Sequence, residues 1–471
     1  MSAVGTARTA AGELGAFAAG LDAAGLPARV LDAVRGRLLD FAGVALAGQA
    51  LDRVQPWIAY AARLAGRRES TVIGRAERSS AFGAALANGV SSGALELDDG
   101  HLAGHVHPGG VVIAAALAVA ERDGRTAADL LAGIVAGYEV NIRLGEALTD
   151  DTLYVRGFNL VALAGAFAAA AAAARTRGLT GTETAHALGH AALAPVAPMV
   201  SFQQGAMTRD GYWGWPAALG VLAADLAAAG VTGPAGVFDE RWGVLHAVAG
   251  GGDRAKLTER LGDRWAITEV YTKIYAACSH AQTALDAASE AAAGRRDPAQ
   301  IAHVVVETYA YAAGLRDPAP TTPAGAQFSL PFCLAVLLTR GRVDPATFAP
   351  EGLADARVLA LASRVEMRED PSLEARHHSG SYCRPSRVTV RFAGGEERTA
   401  YREVARGWPE APLTRAELLE KYAALTQPVV AAKRAAALAA AIERLGPRSD
   451  LGFLRYLRGA RRRTGSAVRA R

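Results

Sequence analysis

Apolar residues recur at helical spacing through most of the first 265 positions, and small residues dominate the repeating face. The periodicity predicts helices over roughly Ala10–Ala19, Ala28–Ala47, Pro56–Ala65, Ser80–Gly93, Val111–Arg122, Ala127–Ala147, Val161–Arg177, Gly181–Ala194 and Trp215–Ala229, each bounded by Gly, Pro or Asp/Thr signals. Thr180-Gly181-Thr182-Glu183 has the form of a capping box, with a threonine cap and an acid three residues on. Near Trp265 the pattern changes. Trp265–Tyr271, Ile301–Tyr309, Arg364–Met367, Arg387–Phe392 and Glu397–Tyr401 are richer in Val, Ile, Thr and aromatics with partial alternation, and Ala393–Glu396 reads as the turn of a β-hairpin. Helical spacing returns in Thr414–Thr426, Pro428–Leu445 and Asp450–Leu457. The expected fold is mainly α: a large all-helical domain (1–266 with 405–471) and a smaller α+β domain (267–404). No fixed-period repeat and no long low-complexity linker interrupts it.

A chain of 471 residues can bury a large core and divide into two domains. Hydrophobic residues make up 51% and aromatics only 6%, so alanine and glycine carry much of the apolar content and suit close helix packing. The net charge of +5 does not indicate a nucleic-acid partner, because Arg458–Arg471 contains six arginines and no acid; the remainder is close to neutral. Cys278, Cys333 and Cys383 are odd in number, widely spaced and without a CxxC pair. Neither a disulfide framework nor a cysteine zinc site is expected, and a reducing cytoplasm is the default. Met1–Leu21 lacks a basic segment followed by a sustained apolar core, and Ala162–Ala174 is short and alanine-rich for a bilayer span. The expectation is a soluble, cytoplasmic protein with no membrane partner.

The chemistry is densest in Glu96-Leu97-Asp98-Asp99-Gly100-His101-Leu102-Ala103-Gly104-His105-Val106-His107-Pro108-Gly109-Gly110. Three of the ten histidines fall within seven positions, beside three carboxylates. Three readings are open. His101, His105 and His107 with Asp98 and Asp99 have the residue types of a divalent-metal site. Against that, Gly100, Gly104 and Pro108 break the helix that a His-x3-His pair requires, and no HExxH motif is present. Metal-free acid–base chemistry uses the same groups, an imidazole moving protons while a carboxylate orients it. The third reading is a polar surface loop.

Two further segments carry candidate groups. Tyr271-Thr272-Lys273-Ile274-Tyr275-Ala276-Ala277-Cys278-Ser279-His280 lies at the expected domain junction, where small-molecule sites form, and precedes an expected helix over Ala281–Ala293 whose N-terminus favours anions. Its bland reading is an exposed lysine and a small buried thiol. Gln203–Pro216 places Arg209 between apolar helices, as a bidentate carboxylate clamp or simply a surface partner of Asp210, with Trp213 and Trp215 as core anchors and Pro216 expected in a first helical turn.

Taken in order, Leu95–Gly110, Gly137-Tyr138-Glu139-Val140-Asn141-Ile142-Arg143, Gly157-Phe158-Asn159, Gly214–Ala218 through Gly230–Pro234, Lys273–Cys278 and Gln327–Phe332 resemble the MmgE/PrpD family. That family includes 2-methylcitrate dehydratases, cis-aconitate decarboxylases and iminodisuccinate epimerases. The resemblance implies an all-helical larger domain, an α+β lid, a homodimer, and a cleft that works without a metal or organic cofactor. It marks His107 and Lys273, with the acidic cluster Glu96, Asp98 and Asp99. Other positions depart from the family pattern: Asn159 and Tyr212 stand where histidines are common, Arg209 replaces a lysine, and Cys278 and Phe332 replace a histidine and a tyrosine of the decarboxylases.

An asparagine does not titrate near neutral pH, and an arginine does not release a proton, so these exchanges speak against the cis-aconitate decarboxylase reaction. The expected activity is a cofactor-independent lyase of dehydratase type on a small carboxylated substrate. An epimerase or isomerase using the same proton abstraction, and a catalytically altered ligand-binding member, are the alternatives. Expected catalytic residues are His107, Asp98, Asp99, Lys273 and His101. Expected substrate-binding residues are Glu96, Asn159, Arg209, Tyr212, Tyr275, Cys278, His280 and Phe332.

Overall fold

The computed structural model describes residues 9–64, 66–148, 153, 156–193, 198–380 and 382–459. Its first half is helical: α1 (Ala10–Gly20), α2 (Ala28–Gly48), α3 (Gln55–Arg63), α4 (Ala81–Gly93), α5 (Pro108–Arg122), α6 (Ala127–Leu148), α7 (Leu160–Arg177), α8 (Gly181–Ala191) and α9 (Gly211–Ala228). A two-stranded pair, β1 (Ser70–Thr71) with β2 (Arg78–Ser79), lies between α3 and α4. Start signals act as the sequence predicts. Ser80 Oγ accepts the Gly83 N–H at the head of α4, and the Thr180–Glu183 capping box is complete.

Helix α7 is the axis of this half. Its run of alanines is buried on all sides by α5, α6, α8 and α9, so small side chains substitute close backbone approach for large interlocking ones. Gly220 of α9 shows how close: a Cβ there would lie 2.2 Å from Ala169 Cβ. By length and composition α7 is the one described helix able to cross a membrane, but 89% of its apolar window is covered by protein.

The smaller α+β domain is built on a mixed four-stranded sheet, in the order β6 (Val365–Glu369), β5 (Ile301–Thr308), β7 (Ser386–Phe392) and β8 (Glu397–Arg402). β5 and β6 are parallel, and β5/β7 and β7/β8 are antiparallel, the latter pair forming the expected hairpin. α10 (Gln282–Ala292), α11 (Leu330–Arg340), α12 (Ala356–Ala362) and α13 (Pro371–His377) accompany the sheet. The chain then returns through α14 (Arg415–Thr426) and α15 (Ala432–Glu443) to pack on α2. One hydrophobic core joins residues from Ala10 to Val270 with Tyr422–Leu457, and a second spans Ala276–Ala400 but also takes in Val44, Leu95, Leu97 and Leu425. The loop that carries the acids and histidines thus touches both cores, with Leu97 in the second and Val106 in the first.

Several local expectations are corrected. Trp265–Tyr271 is not a strand: Thr268 N–H and Oγ1 both bond Trp265 O, closing a 3-10 turn over Ala266–Glu269, and only Tyr271–Thr272 (β4) is extended. Pro216 is not in a first turn. α9 begins at Gly211, and Pro216 lies inside it, forgoing one helical hydrogen bond while its ring packs 3.4 Å from the position of a Gly165 Cβ. Asp450–Leu457 is helical only over Leu454–Leu457, and α10 is preceded by a 3-10 turn at Ser279–Ala281. Ala194, at the expected end of α8, and residues 460–471 of the basic tail lie outside the described residues.

Candidate active site

Two very short strands assemble the site. β3 (Asp99–Gly100) pairs antiparallel with β4, Asp99 opposite Thr272 and Gly100 opposite Tyr271. Continuing that register by one residue sets Asp98 opposite Lys273, a cross-strand pair of opposite charge. The Lys273 Nζ donates to Asp98 Oδ1 at 3.1 Å and to Glu96 Oε2 at 2.7 Å, joining residues 175 and 177 positions apart. Both strands are held from behind. Arg37 on α2 donates to Tyr271 O (3.2 Å) and Thr272 Oγ1 (2.8 Å), while Lys421 on α14 donates to Leu97 O at 2.8 Å and pairs with Asp40 at 2.7 Å. Gly407, at φ +92°, accepts the Thr272 N–H on its carbonyl, and a Cβ there would meet Thr272 O at 2.1 Å.

Around this crossing, three cations face three carboxylates in a buried network. Arg209 bonds Glu96 directly, lies 3.2 Å from both Asp210 Oδ1 and Gln327 Oε1, and is flanked by the rings of Phe202, Trp213 and Phe328. Arg53 pairs with Asp210 at 2.9 Å. Burial alone would raise the carboxyls of Glu96 and Asp98, but Lys273, assisted by Arg209 at Glu96 and by His107 at Asp98, outweighs it and holds both below the usual carboxylate range. The reciprocal effect keeps Lys273 protonated: burial disfavours its ammonium, and Asp98 and Glu96 more than compensate. Lys273 and Arg209 are thus fixed, internally neutralised charges rather than proton donors.

His107 occupies the N-cap position of α5, where Pro108 starts the helix. Its Nδ1 lies 2.9 Å from Asp98 Oδ2, the same oxygen that accepts Trp213 Nε1–H at 2.8 Å. The rings of Trp213 and Tyr271 stand edge-on to the imidazole, each 6.1 Å away. The contact is an ion pair without hydrogen-bond geometry, and an ionised carboxylate at that distance favours the Nδ1–H tautomer, which leaves the lone pair on Nε2; Nε2 makes no hydrogen bond to a described residue.

Asp99, the neighbour of Asp98, behaves oppositely. Burial outweighs the charge of Arg37 and raises its carboxyl. Oδ1 accepts the Gly109 N–H at 2.8 Å and Oδ2 the Tyr138 hydroxyl at 2.6 Å, so Asp99 fixes the start of α5. A carboxyl raised in the folded state contributes stability that is complete below its unfolded value of about 4 and is lost as pH rises through the folded value. Asp99→Asn keeps the shape without that loss. Its melting temperature relative to the parent is expected to improve between pH 4.5 and pH 8, with a net change within about 1 kcal/mol. A difference that stays constant across that range would show that the Asp99 carboxyl is not raised in the folded protein.

The remaining expected site residues are distributed differently. The His101 ring turns away from His107: Nδ1 accepts the Gly104 N–H at 3.1 Å, and Nε2 faces Glu269 at 3.7 Å and Glu146 at 3.9 Å. These three side chains have the composition of a metal site, with ligand atoms within 4.8 Å of one another, yet Arg264 already bonds both glutamates. A cation there would have to displace the guanidinium. Asn159 caps α7, its Oδ1 accepting the Ala162 N–H at 3.1 Å. Tyr212 bonds Ser201 and Pro198 O, and the Tyr275 hydroxyl bonds Asp286 at 3.0 Å. Phe332 is fully buried in the core of the smaller domain near Phe348. Cys278 is buried close enough to feel the charge of Glu96, and burial pushes its thiol up to about 11. His280 is buried, with Nδ1 2.5 Å from the Tyr309 hydroxyl. Residue-by-residue reading of the sequence did not single out Arg37, Arg53, Tyr138 or Lys421; of these only Tyr138 lay in a quoted motif.

Family models match the chain over two stretches: the MmgE/PrpD N-terminal domain over residues 12–256 and the MmgE/PrpD C-terminal domain over residues 275–446. Among known proteins it is similar to the cis-aconitate decarboxylase-like protein oryM of Aspergillus oryzae, 26% identical over 442 residues that cover 87% of this chain and 89% of that protein. It is also similar to a cis-aconitate decarboxylase of Aspergillus terreus, 25% identical over 424 residues covering 85% and 86%.

Proposed function

The chain belongs to the MmgE/PrpD family of enzymes, and from that premise we propose that it is a cofactor-independent lyase of dehydratase type acting on a small carboxylated substrate. The observation that carries this reading is the His107–Asp98–Lys273 arrangement. Asp98, kept ionised by Lys273, orients His107 through Nδ1, and Nε2 abstracts the proton next to a substrate carboxylate. The electron pair left on carbon delocalises into the carboxylate and then expels the β-hydroxyl, which departs as water on receiving the proton from the His107 imidazolium. Tyr271, buried beside His107 with its phenol raised by burial, stays protonated and is a second donor within the same enclosure.

Four of the five departures from the family pattern support dehydration over decarboxylation of a cis-aconitate-like compound. Asn159 caps a helix, Arg209 is neutralised by Glu96 and Asp210, Cys278 is a neutral thiol and Phe332 is core, so none supplies a proton near neutral pH. A homodimer, a cytoplasmic setting and independence of metal accompany this proposal.

Solvent-deuterium incorporation tests it. Incubated in D2O with 2-methylcitrate, citrate or iminodisuccinate, the protein is expected to introduce deuterium at the carbon next to a carboxylate in at least one of them, read by mass spectrometry. Dehydration adds loss of water from the same compound; exchange with inversion and no loss of water selects the epimerase. Binding without any exchange in all three compounds would leave a ligand-binding member and remove the enzyme reading.

A further inference from the structure

Arg384 differs from every cation of the active-site network. It lies in the connection between α13 and β7 of the smaller domain, is 4% exposed, and is anchored by its own N–H to Glu403 O. Its Nη1 is buried without a hydrogen-bond partner, and among the described residues no carboxylate pairs with its guanidinium. Lys273, Arg209 and Arg53 each have an acid; among the described residues Arg384 has none.

The groups around it are neutral. Burial, followed by the Arg384 charge, brings the His105 imidazole down to about 3 and holds His280 well below its ordinary value. His377 is lowered too, by burial and then Arg384 against the pull of the Cys383 carbonyl. Tyr271 and Tyr309, whose phenols also feel Arg384, are raised by burial. Tyr309 stacks on His377 with ring centres 4.0 Å apart and bonds His280, so the wall is ordered as well as neutral. A buried charge with no counterion is costly to maintain and strongly favours an incoming anion.

The position connects this charge to the proposed chemistry. His105 is two residues from His107 on the same loop, and Tyr271 feels both Arg384 and Lys273 while standing edge-on to His107. We propose that the Arg384 guanidinium, supplied by the smaller domain, is the receptor for a carboxylate of the substrate, and that Lys273 and Arg209 are not. The inference rests on the lyase reading for its substrate class. A planar fork offers paired N–H donors that a carboxylate matches, whereas a lysine offers only a point charge. One uncompensated cation accepts one carboxylate here, and the amide analogue of the same ligand leaves the charge unpaired.

Thermal unfolding of the full chain with and without about 10 mM succinate, citrate or succinamide separates the possibilities, a concentration about tenfold above a weak Kd of 1 mM. The parent is expected to melt a few degrees higher with succinate or citrate and to be unmoved by succinamide. Arg384→Gln should lose that shift and should melt no lower than the parent without ligand, because it removes an unpaired buried charge; an arginine with a purely structural role would give a lower value. Arg384→Lys should keep a reduced shift. His107→Asn should keep the full shift. A full carboxylate shift in Arg384→Gln, a lower ligand-free melting temperature in both Arg384 variants, or no carboxylate shift in the parent would overturn the assignment. Carboxylate binding that depends on Arg384 with no deuterium exchange in the parent would instead remove the lyase reading and leave the receptor standing.

Discussion

Lys273→Ala is expected to abolish turnover and to lower the melting temperature by roughly 10 °C at pH 7.5, the scale for losing about 3–5 kcal/mol in a domain of this size. The reason is the company Lys273 keeps. Glu96 and Asp98 are buried, and the ammonium bridges them at 2.7 and 3.1 Å. Without it Arg209 remains on Glu96, but Asp98 is left with Trp213 and His107 alone. Such a carboxylate protonates more readily, and a protonated Asp98 no longer fixes the Nδ1–H tautomer of His107, so the base is lost with the fold's support.

The pH dependence has a definite sign. In the parent, the depressed carboxyls of Glu96 and Asp98 contribute stability that is present above about pH 4 and lost as pH falls through their folded values. In the variant, desolvation is no longer outweighed, the folded values rise, and acidification relieves the penalty. The melting-temperature gap between the two proteins should therefore be widest at pH 7.5 and narrower at pH 5. Equal melting temperatures at pH 7.5 would show that Lys273 is not the counterion of a buried acidic pair.

Helix positions were legible in the sequence because they rest on local rules. The Thr180 and Ser80 caps, the 3.6-residue spacing of α7 and the turn of the β7/β8 hairpin each need only a few neighbouring residues. The composition of the acid- and histidine-rich loop was equally legible, but its directions were not. His101, His105 and His107 are consecutive in kind, yet His105 takes φ +50° and the chain folds back on itself at the His101–Val106 bridge, so His101 points at Glu146 and Glu269 while His107 points at Asp98. No spacing rule anticipates that reversal. Likewise Tyr271, Lys273 and Tyr275 alternate like residues on one strand face, but pairing stops at Thr272 and Tyr275 turns to Asp286. Charge balance was the least legible feature. Whether an arginine is a clamp or a counterion depends on partners far along the chain: Arg209 meets Glu96 across 113 positions, and Arg384, in an unpatterned connection, meets no acid among the described residues.

His107→Asn is expected to lower the rate of solvent-deuterium exchange by about 10²–10⁴-fold while leaving the fold and the carboxylate-binding shift in place. The position favours this substitution structurally. Residue 107 is the N-cap of α5, a place where asparagine is among the preferred residues, so the melting temperature should stay within a change of about 1 kcal/mol. Chemically the exchange is severe. An asparagine amide can donate a hydrogen bond towards Asp98 and has no lone-pair nitrogen to accept a proton, so orientation survives and basicity does not. Binding depends on Arg384, which the substitution leaves untouched, so ligand-induced stabilisation and exchange should separate in this variant. Partial recovery of exchange on adding free imidazole would identify the deleted group as the proton acceptor. A variant that exchanges at a rate near the parent's would move the base elsewhere. Asp98 is a poor replacement because Lys273 holds it too weakly basic, and His105 because burial and Arg384 do the same to its ring; Asp99, the raised carboxyl, would then be the group to substitute next.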